Sequence, residues 1–118
     1  MPFKFEKLKV WHKALELAGM ISDLTKSFPK EELFILTAQM KRAADSTVLN
    51  IAEGSTLQSD QEFKRFLVIA NRSAIEVVSC LYLAKQRSFL SEENFTRLYM
   101  FYEELIVMIQ ALIKSLSQ

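Results

Sequence analysis

Hydrophobic residues along most of the chain recur at alternating steps of three and four, which places them on one face of an α-helix. The first such run spans residues 10–28, and Pro29 ends it because proline lacks the backbone N–H that a helix uses. A second run begins near Lys30 or Glu31 and continues to Gly54, which we expect to end the helix. Its predicted buried face comprises Leu33, Leu36, Met40, Ala44, Thr47 and Ile51.

Two further helices are predicted in the second half of the chain. Ser59 or Asp60 can cap the third helix, and Ser91 can cap the fourth after a break near Ser88. The third helix has a seam that repeats every seven residues, formed by Phe63, Ala70, Val77 and Ala84 and by Phe66, Ser73 and Cys80. The fourth helix has the most regular face, formed by Phe95, Leu98, Tyr102, Leu105, Ile109, Leu112 and Leu116. These helices and their short connections predict an all-α, up-down-up-down, left-handed four-helix bundle, a single domain over residues 1–118.

Composition narrows the class of protein further. Half of the 118 residues are hydrophobic, and the formal net charge is only +1, so no strong overall field attracts nucleic acid or membrane. A single cysteine, Cys80, cannot form an internal disulfide, and the first residues lack the pattern of a signal peptide. The longest stretch without a charge, residues 105–113, is well short of the about 20 residues of a membrane span. We therefore expect a cytoplasmic protein without a membrane partner.

The fourth helix has more apolar surface than one contact within a bundle requires. Tyr99, Ile106 and Ile113 form a second row beside the buried face, while Phe101 and Met108 point in a third direction. Because soluble monomers rarely expose large apolar patches, these five residues are predicted to lie at the interface of a homo-oligomer. The alternative is a wide core contact, with the excess covered by the aliphatic stems of lysine and arginine.

The residue types needed for common catalytic and metal sites are missing or isolated. The one histidine, His12, has no glutamate three residues before it, and Cys80 has no cysteine partner, so a di-iron or zinc site cannot form within one subunit. The chain has neither a Gly-x-Ser-x-Gly elbow nor a glycine-rich phosphate loop. The sequence therefore predicts a protein that is not an enzyme and has no metal or cofactor.

The second helix carries one unusual polar arrangement. At 100° per residue, five polar side chains fall within an arc of about 80° beside the apolar face. They are Gln39, Arg42, Ser46, Asn50 and Glu53. We interpret this polar stripe as a buried hydrogen-bond network that fixes helix register or subunit pairing. The alternative is a pocket or a docking ridge for a ligand.

Several segments together resemble one known family. They are residues 5–11, 29–32, 42–44, 50–54 (Asn-Ile-Ala-Glu-Gly) and 63–76. These segments resemble the four-helix bundle proteins named after the intervening sequences of 23S ribosomal RNA that encode them. The likeness covers nearly the whole chain and adds Ser73 and Glu76 of the third helix to the polar stripe. Arg72 departs from the family pattern, in which glycine usually precedes Ser73.

The resemblance implies a homopentamer with no established enzymatic activity. The family is also similar in fold to the basic accessory protein of diversity-generating retroelements, which binds nucleic acid. By analogy alone, this likeness supplies a second hypothesis, a nucleic-acid-binding module, beside the first, a scaffold or interaction protein.

The distribution of charge gives limited support to nucleic-acid binding. Residues 1–30 carry six basic and three acidic groups, and residues 61–91 carry five and two. The candidate contacts to RNA or DNA are Lys4, Lys7, Lys9, Lys13, Lys64, Arg65 and Arg72. Repeated around a ring, such patches would add weak phosphate contacts through multivalency. Patches of this size are also ordinary solvated faces, and we identify no recognition motif that interleaves aromatic residues.

Overall fold

The structure, a computed structural model, describes residues 2–117 and is helical almost throughout. The four helices are α1 (Lys9–Thr25), α2 (Leu36–Ser55), α3 (Asp60–Gln86) and α4 (Glu92–Leu116). Short 3-10 turns at Lys4–Lys7 and Lys30–Glu32 precede α1 and α2. The predicted all-α, four-helix fold is confirmed.

The helices form a bundle of 43 × 22 × 22 Å in which each helix contacts the next along the chain. The first helix also contacts α4, whereas no Cα atom of α2 lies within 8 Å of a Cα atom of α4. These two helices are therefore diagonal to each other. The connections 26–35 and 87–91 lie at the same end of the bundle, where the rings of Phe28 and Phe89 are 5.6 Å apart.

The core contains most of the apolar positions that the periodicity predicts. On α3 the second predicted seam is wrong in part: Phe66 and Ser73 are only partly buried, and Leu67, Ala74 and Leu81 are buried instead. Every helix contributes side chains that are at most 1% exposed, among them Leu17, Ile21, Met40, Ile51, Leu67, Leu81, Leu98, Tyr102, Leu105 and Ile109. Burial of this apolar surface drives the helices together, since most helix stability in proteins comes from tertiary packing.

Serine caps fix the starts of the last two helices. Ser59 Oγ accepts a hydrogen bond from the backbone N–H of Glu62 at 3.1 Å, and Ser91 Oγ accepts one from Asn94 at 3.1 Å. Each bond satisfies a backbone donor that has no partner within its helix. Ser88 has a φ of 62° at the predicted break, which reverses the chain between α3 and α4.

The start of the second helix differs from the prediction. This helix begins at Leu36 rather than near Lys30, because Ile35 has φ −119° and ψ −99°, outside the helical region. The preceding 3-10 turn is held by Glu32, which pairs with Arg87 at 3.7 Å and accepts a hydrogen bond from the Leu36 N–H. Leu33, predicted on the buried face, is 52% exposed. That part of the prediction is wrong.

Gly54 also differs from its predicted role. The helix α2 does not stop there but continues to Ser55. Gly54 is buried, and a side chain at this position would meet Phe63 and Phe66 of α3. Its lack of a side chain therefore allows α2 and α3 to approach each other closely.

The third helix is long and apolar enough, by length and composition, to cross a membrane. This length and composition are not evident from uncharged stretches of the sequence, because charged residues interrupt the helix. In the structure the apolar face of this helix lies against the other helices. Its buried residues are Phe63, Leu67, Ala70, Ala74, Val77, Cys80, Leu81 and Ala84. The other side of the helix exposes apolar residues as well, namely Val68, Ile69, Ile75 and Tyr82.

Candidate functional site

The outward side of α4 carries a run of exposed and partly buried apolar side chains. We define the outer α4 face as Tyr99, Met100, Phe101, Ile106, Val107, Met108 and Ile113. The five members that the sequence predicted at a subunit interface are partly buried, because they pack against the core. The structure thus places them at the margins of this face.

The centre of the outer α4 face contains two exposed apolar residues that the sequence pattern did not single out, beside the exposed Glu103 and Glu104. Met100 is 60% exposed and Val107 is 59% exposed. They lie seven residues apart, which is two helical turns, so the same spacing that identified Tyr99 and Ile106 could have found them. Tyr82 of α3 extends the surface, since it is 52% exposed and its ring lies 6.2 Å from that of Tyr99.

Three shallow hollows follow the outer α4 face. The largest, about 680 Å³, lies at the start of the helix, and we call it the α4 hollow; it is lined by Glu92, Glu93, Thr96, Arg97, Met100 and Phe101. A second, about 460 Å³, lies beside Val107 and Met108. The third, about 140 Å³, lies between α4 and Val78 of α3. Apolar side chains beside a few charged ones are typical of protein-binding surfaces.

A second exposed apolar feature lies at the connection before α2. We call it the 33–35 turn; it comprises Leu33, Phe34 and Ile35, which are 52%, 88% and 61% exposed. This turn was not evident from the sequence because Leu33 continues the apolar face of the predicted second helix. Three adjacent, large and exposed apolar side chains are unusual on a protein surface.

The polar stripe joins α2 to α3. Gln39 Nε2 donates to Glu76 Oε2 at 3.3 Å, and the hydroxyl groups of Ser46 and Ser73 are hydrogen-bonded at 2.9 Å. Asn50 Nδ2 also donates to Ser46, to both its carbonyl and its hydroxyl oxygen. The structure therefore brings together five of the seven predicted side chains.

The remaining two members of the polar stripe differ from the expectation of a buried network. Arg42 and Glu53 are exposed and make no side-chain hydrogen bond or ion pair with residues 2–117. The serine and asparagine side chains are only half buried. The stripe lies at the solvent-facing edge of the α2–α3 contact, because its arc adjoins the apolar face rather than forming part of it.

The first residues of the chain form an aromatic stack among lysines. The rings of Phe3 and Phe5 are stacked at 5.8 Å, and Phe5 lies 4.7 Å from Trp11. Lys4 Nζ lies 5.1 Å from the ring centre of Phe63, which places this turn beside the start of α3. The segment therefore interleaves aromatic residues with cations, a feature that the sequence analysis did not identify.

The seven predicted nucleic-acid contacts do not form one surface. Lys13 is paired with Glu104 at 3.4 Å, and Arg65 is paired with Glu62 at 3.0 Å. Arg72 lies about 12 Å along α3 from Lys64, given the helical rise per residue. The other four, which make no ion pair with any of residues 2–117, lie at the end of the bundle that holds the start of α1: Lys4, Lys7, Lys9 and Lys64.

The two residues with potential for nucleophilic or metal chemistry are placed separately. Cys80 is 2% exposed, and burial, with a smaller effect of the Glu76 charge, raises the pKa of its thiol, which disfavours the reactive thiolate. His12 lies on the surface, with Nε2 2.6 Å from the carbonyl oxygen of Glu6. Within residues 2–117, no three His, Cys, Asp or Glu side chains are grouped to hold a metal ion.

Known proteins resemble this chain both in structure and in sequence. A crystal structure of a protein of unknown function from the S23 ribosomal protein family of Bacteroides thetaiotaomicron VPI-5482 is similar, with a TM-score of 0.83 and 28% sequence identity. The alignment covers 89% of this chain and 95% of that one. A search of curated proteins gave no match. The family model described as 23S rRNA-intervening sequence protein matches residues 6–111. The chain therefore belongs to the 23S rRNA-intervening sequence protein family.

Proposed function

We propose that this protein is a non-enzymatic scaffold or interaction protein of the cytoplasm that works as a homo-oligomer. The observation that carries the proposal is the outer α4 face, whose centre exposes Met100 and Val107 at 60% and 59%. Covering each of these side chains stabilises a complex by about 1 kcal/mol or more. The partner that we propose is a second copy of the same chain, because identical copies are present wherever the protein is made. The resemblance to the family makes a pentamer the expected assembly.

The absence of a catalytic role is part of the same proposal. The raised pKa of the Cys80 thiol and its burial argue against a thiolate nucleophile at neutral pH. The hydrogen bonds of the polar stripe join two helices of the same chain, which supports a structural role for them. The lone buried cysteine is compatible with the reducing cytoplasm.

The test of self-association is a measurement of molar mass by light scattering on the wild type and on two variants. Val107→Glu places a charge at the centre of the outer α4 face and is expected to reduce the mass to that of one chain. Leu15→Glu changes a residue on α1 that is 48% exposed and is expected to keep the wild-type mass. A monomeric wild type would refute the proposal, as would a Val107→Glu variant with unchanged mass.

Nucleic-acid binding is the second candidate function, and the aromatic stack at the start of the chain favours it. Phe3 is 58% exposed, and its ring is stacked on that of Phe5. Lys4 and Lys7 belong to the same short segment of the chain. Aromatic side chains stack on unpaired bases, and neighbouring cations contact phosphates. A ring would repeat this cluster once per subunit and so strengthen weak binding.

A mobility-shift experiment with single-stranded RNA separates the two functions. Binding is expected at low salt, with a steep loss as salt rises, because cations that contact phosphates displace counterions. Phe3→Ala is expected to weaken binding about tenfold, given about 1–3 kcal/mol per stacked base. Lys26→Ala, at the other end of the bundle, is the control. No shift at any salt concentration would eliminate this candidate and leave the scaffold proposal.

A further inference from the structure

We infer that the 33–35 turn of one copy inserts into the α4 hollow of the next copy and so defines a head-to-tail contact. This inference rests on the proposed self-association and specifies its geometry. It pairs two apolar features of the surface with each other: the 33–35 turn, which protrudes, and the α4 hollow, which is a depression.

The protrusion is the 33–35 turn. Phe34 is 88% exposed, and Leu33 and Ile35 on either side of it are more than half exposed. Its base is fixed, since Glu32 pairs with Arg87 at 3.7 Å and accepts a hydrogen bond from the Leu36 N–H at 3.3 Å. A rigid apolar protrusion loses little conformational entropy when it is buried in a complex.

The depression is the α4 hollow. It is a shallow hollow of about 680 Å³ that is lined by residues of α4 alone. Met100 and Phe101 supply the apolar part of its lining, and Glu93 and Arg97 supply opposite charges. It is continuous with the outer α4 face, to which we assign the subunit interface.

The charges beside the two features are complementary. Lys30 and Glu31 immediately precede the turn, and Glu93 and Arg97 border the hollow. None of these four side chains forms an ion pair elsewhere in the 2–117 segment. Insertion of Phe34 would bring Lys30 toward Glu93 and Glu31 toward Arg97 of the neighbour. Such complementarity selects the register of an interface more than it adds affinity.

The positions of the two features favour a ring. The turn precedes α2, the hollow lies on α4, and these two helices are diagonal in the bundle. Both features lie at the end of the bundle where Phe28 contacts Phe89. A rotation about an axis parallel to the bundle keeps both at the same height while it brings the turn of one copy to the hollow of the next. Contacts between unlike surfaces of identical chains form closed rings when that rotation closes.

The first experiment compares Phe34→Glu with the control Leu15→Glu by light scattering and circular dichroism. Phe34 is almost fully exposed, so its replacement is expected to leave the helical spectrum unchanged while the oligomer dissociates. Leu15→Glu is expected to keep the mass. If wild type and Phe34→Glu form the same oligomer, the insertion is refuted but self-association stands. If the wild type is itself monomeric, the proposed function fails and the insertion fails with it.

The second experiment tests which surfaces meet. In the double variant Phe34→Cys/Met100→Cys, a short bismaleimide is expected to join neighbouring copies into a ladder of covalent multimers on a denaturing gel. The native thiol does not interfere because Cys80 is 2% exposed. Each single variant is expected to stay largely unlinked. An unlinked double variant whose native assembly has the wild-type mass would overturn the inference.

Discussion

Gly54 of α2 and Phe66 of α3 lie so close together that a Cβ atom on Gly54 would be only 2.7 Å from the Cβ of Phe66. The ring of Phe63 would lie 3.0 Å from the same atom. The Cβ of Phe66 is fixed to its backbone and cannot rotate away, so a methyl group at this position would force the two helices apart.

We therefore predict that Gly54→Ala destabilises the protein by about 1–3 kcal/mol, the usual effect of overpacking a core. Chemical denaturation measures the change. Gly19→Ala is the matched control, because nothing lies within 4 Å of the added methyl group. In α1 it is expected to increase stability by about 0.5–1 kcal/mol through helix propensity. A stabilised Gly54→Ala variant would show that the two helices are not in close contact.

The hydroxyl pair of the polar stripe is expected to couple α2 to α3 energetically. A double-mutant cycle on Ser46→Ala and Ser73→Ala should give an interaction energy of about 0.5–1.5 kcal/mol, the net value of one hydrogen bond. Each free energy of unfolding comes from urea denaturation. If the effects of the two single substitutions on the free energy of unfolding simply add, the hydroxyl pair does not contribute to holding α2 and α3 together.

Asn50→Leu removes the side-chain amide that donates to Ser46. We predict impaired folding or assembly, measured by thermal denaturation and by light scattering. Asn50→Asp is the comparison, because it keeps the size of the side chain while it removes the donor. A Leu variant that is stable and assembles normally would indicate that the stripe serves as a binding site instead.

The stability of the fold is expected to fall at alkaline pH because of Tyr102. Burial, and to a smaller extent the negative charge of Asp45, raise the pKa of this side chain above that of a free phenol. The native state therefore holds its proton when the unfolded state has lost it. The free energy of unfolding should decrease as pH rises above about 10 and be unaffected by this group below that pH.

Tyr102→Phe should have a weaker decrease over the same pH range, as measured by urea denaturation from about pH 8 to about pH 11. Cys80→Ala provides a parallel comparison, since its thiol pKa is also raised by burial. If the Phe variant and the wild type show identical pH dependence, Tyr102 is not the group responsible.

The helical elements could be predicted from the sequence because their apolar spacing is regular and their serine caps are local signals. The start of α2 could not, since Leu33 continues the spacing of the buried face. Only the contact of Glu32 with Arg87, from a distant part of the chain, shows where the helix begins. Gly54 was likewise ambiguous, because a glycine that ends a helix and one that permits close packing look alike in a sequence.

The candidate surfaces could be predicted only in part. Excess apolar residues on α4 were evident from the helical pattern, but which of them are central depends on how far the neighbouring helices cover its flanks. Only the tertiary structure shows that Lys13 forms an ion pair with Glu104, whereas Lys4 lies beside the ring of Phe63. Charge counts along the chain cannot separate these two situations.

The molar mass of the wild-type protein in solution, measured by light scattering at micromolar concentration, tests the central claim most directly. One chain has a mass of 13.6 kDa. We expect a single species at five times that mass, unchanged over a tenfold dilution. A species of 13.6 kDa throughout would show that the outer α4 face remains in contact with water and would contradict the account.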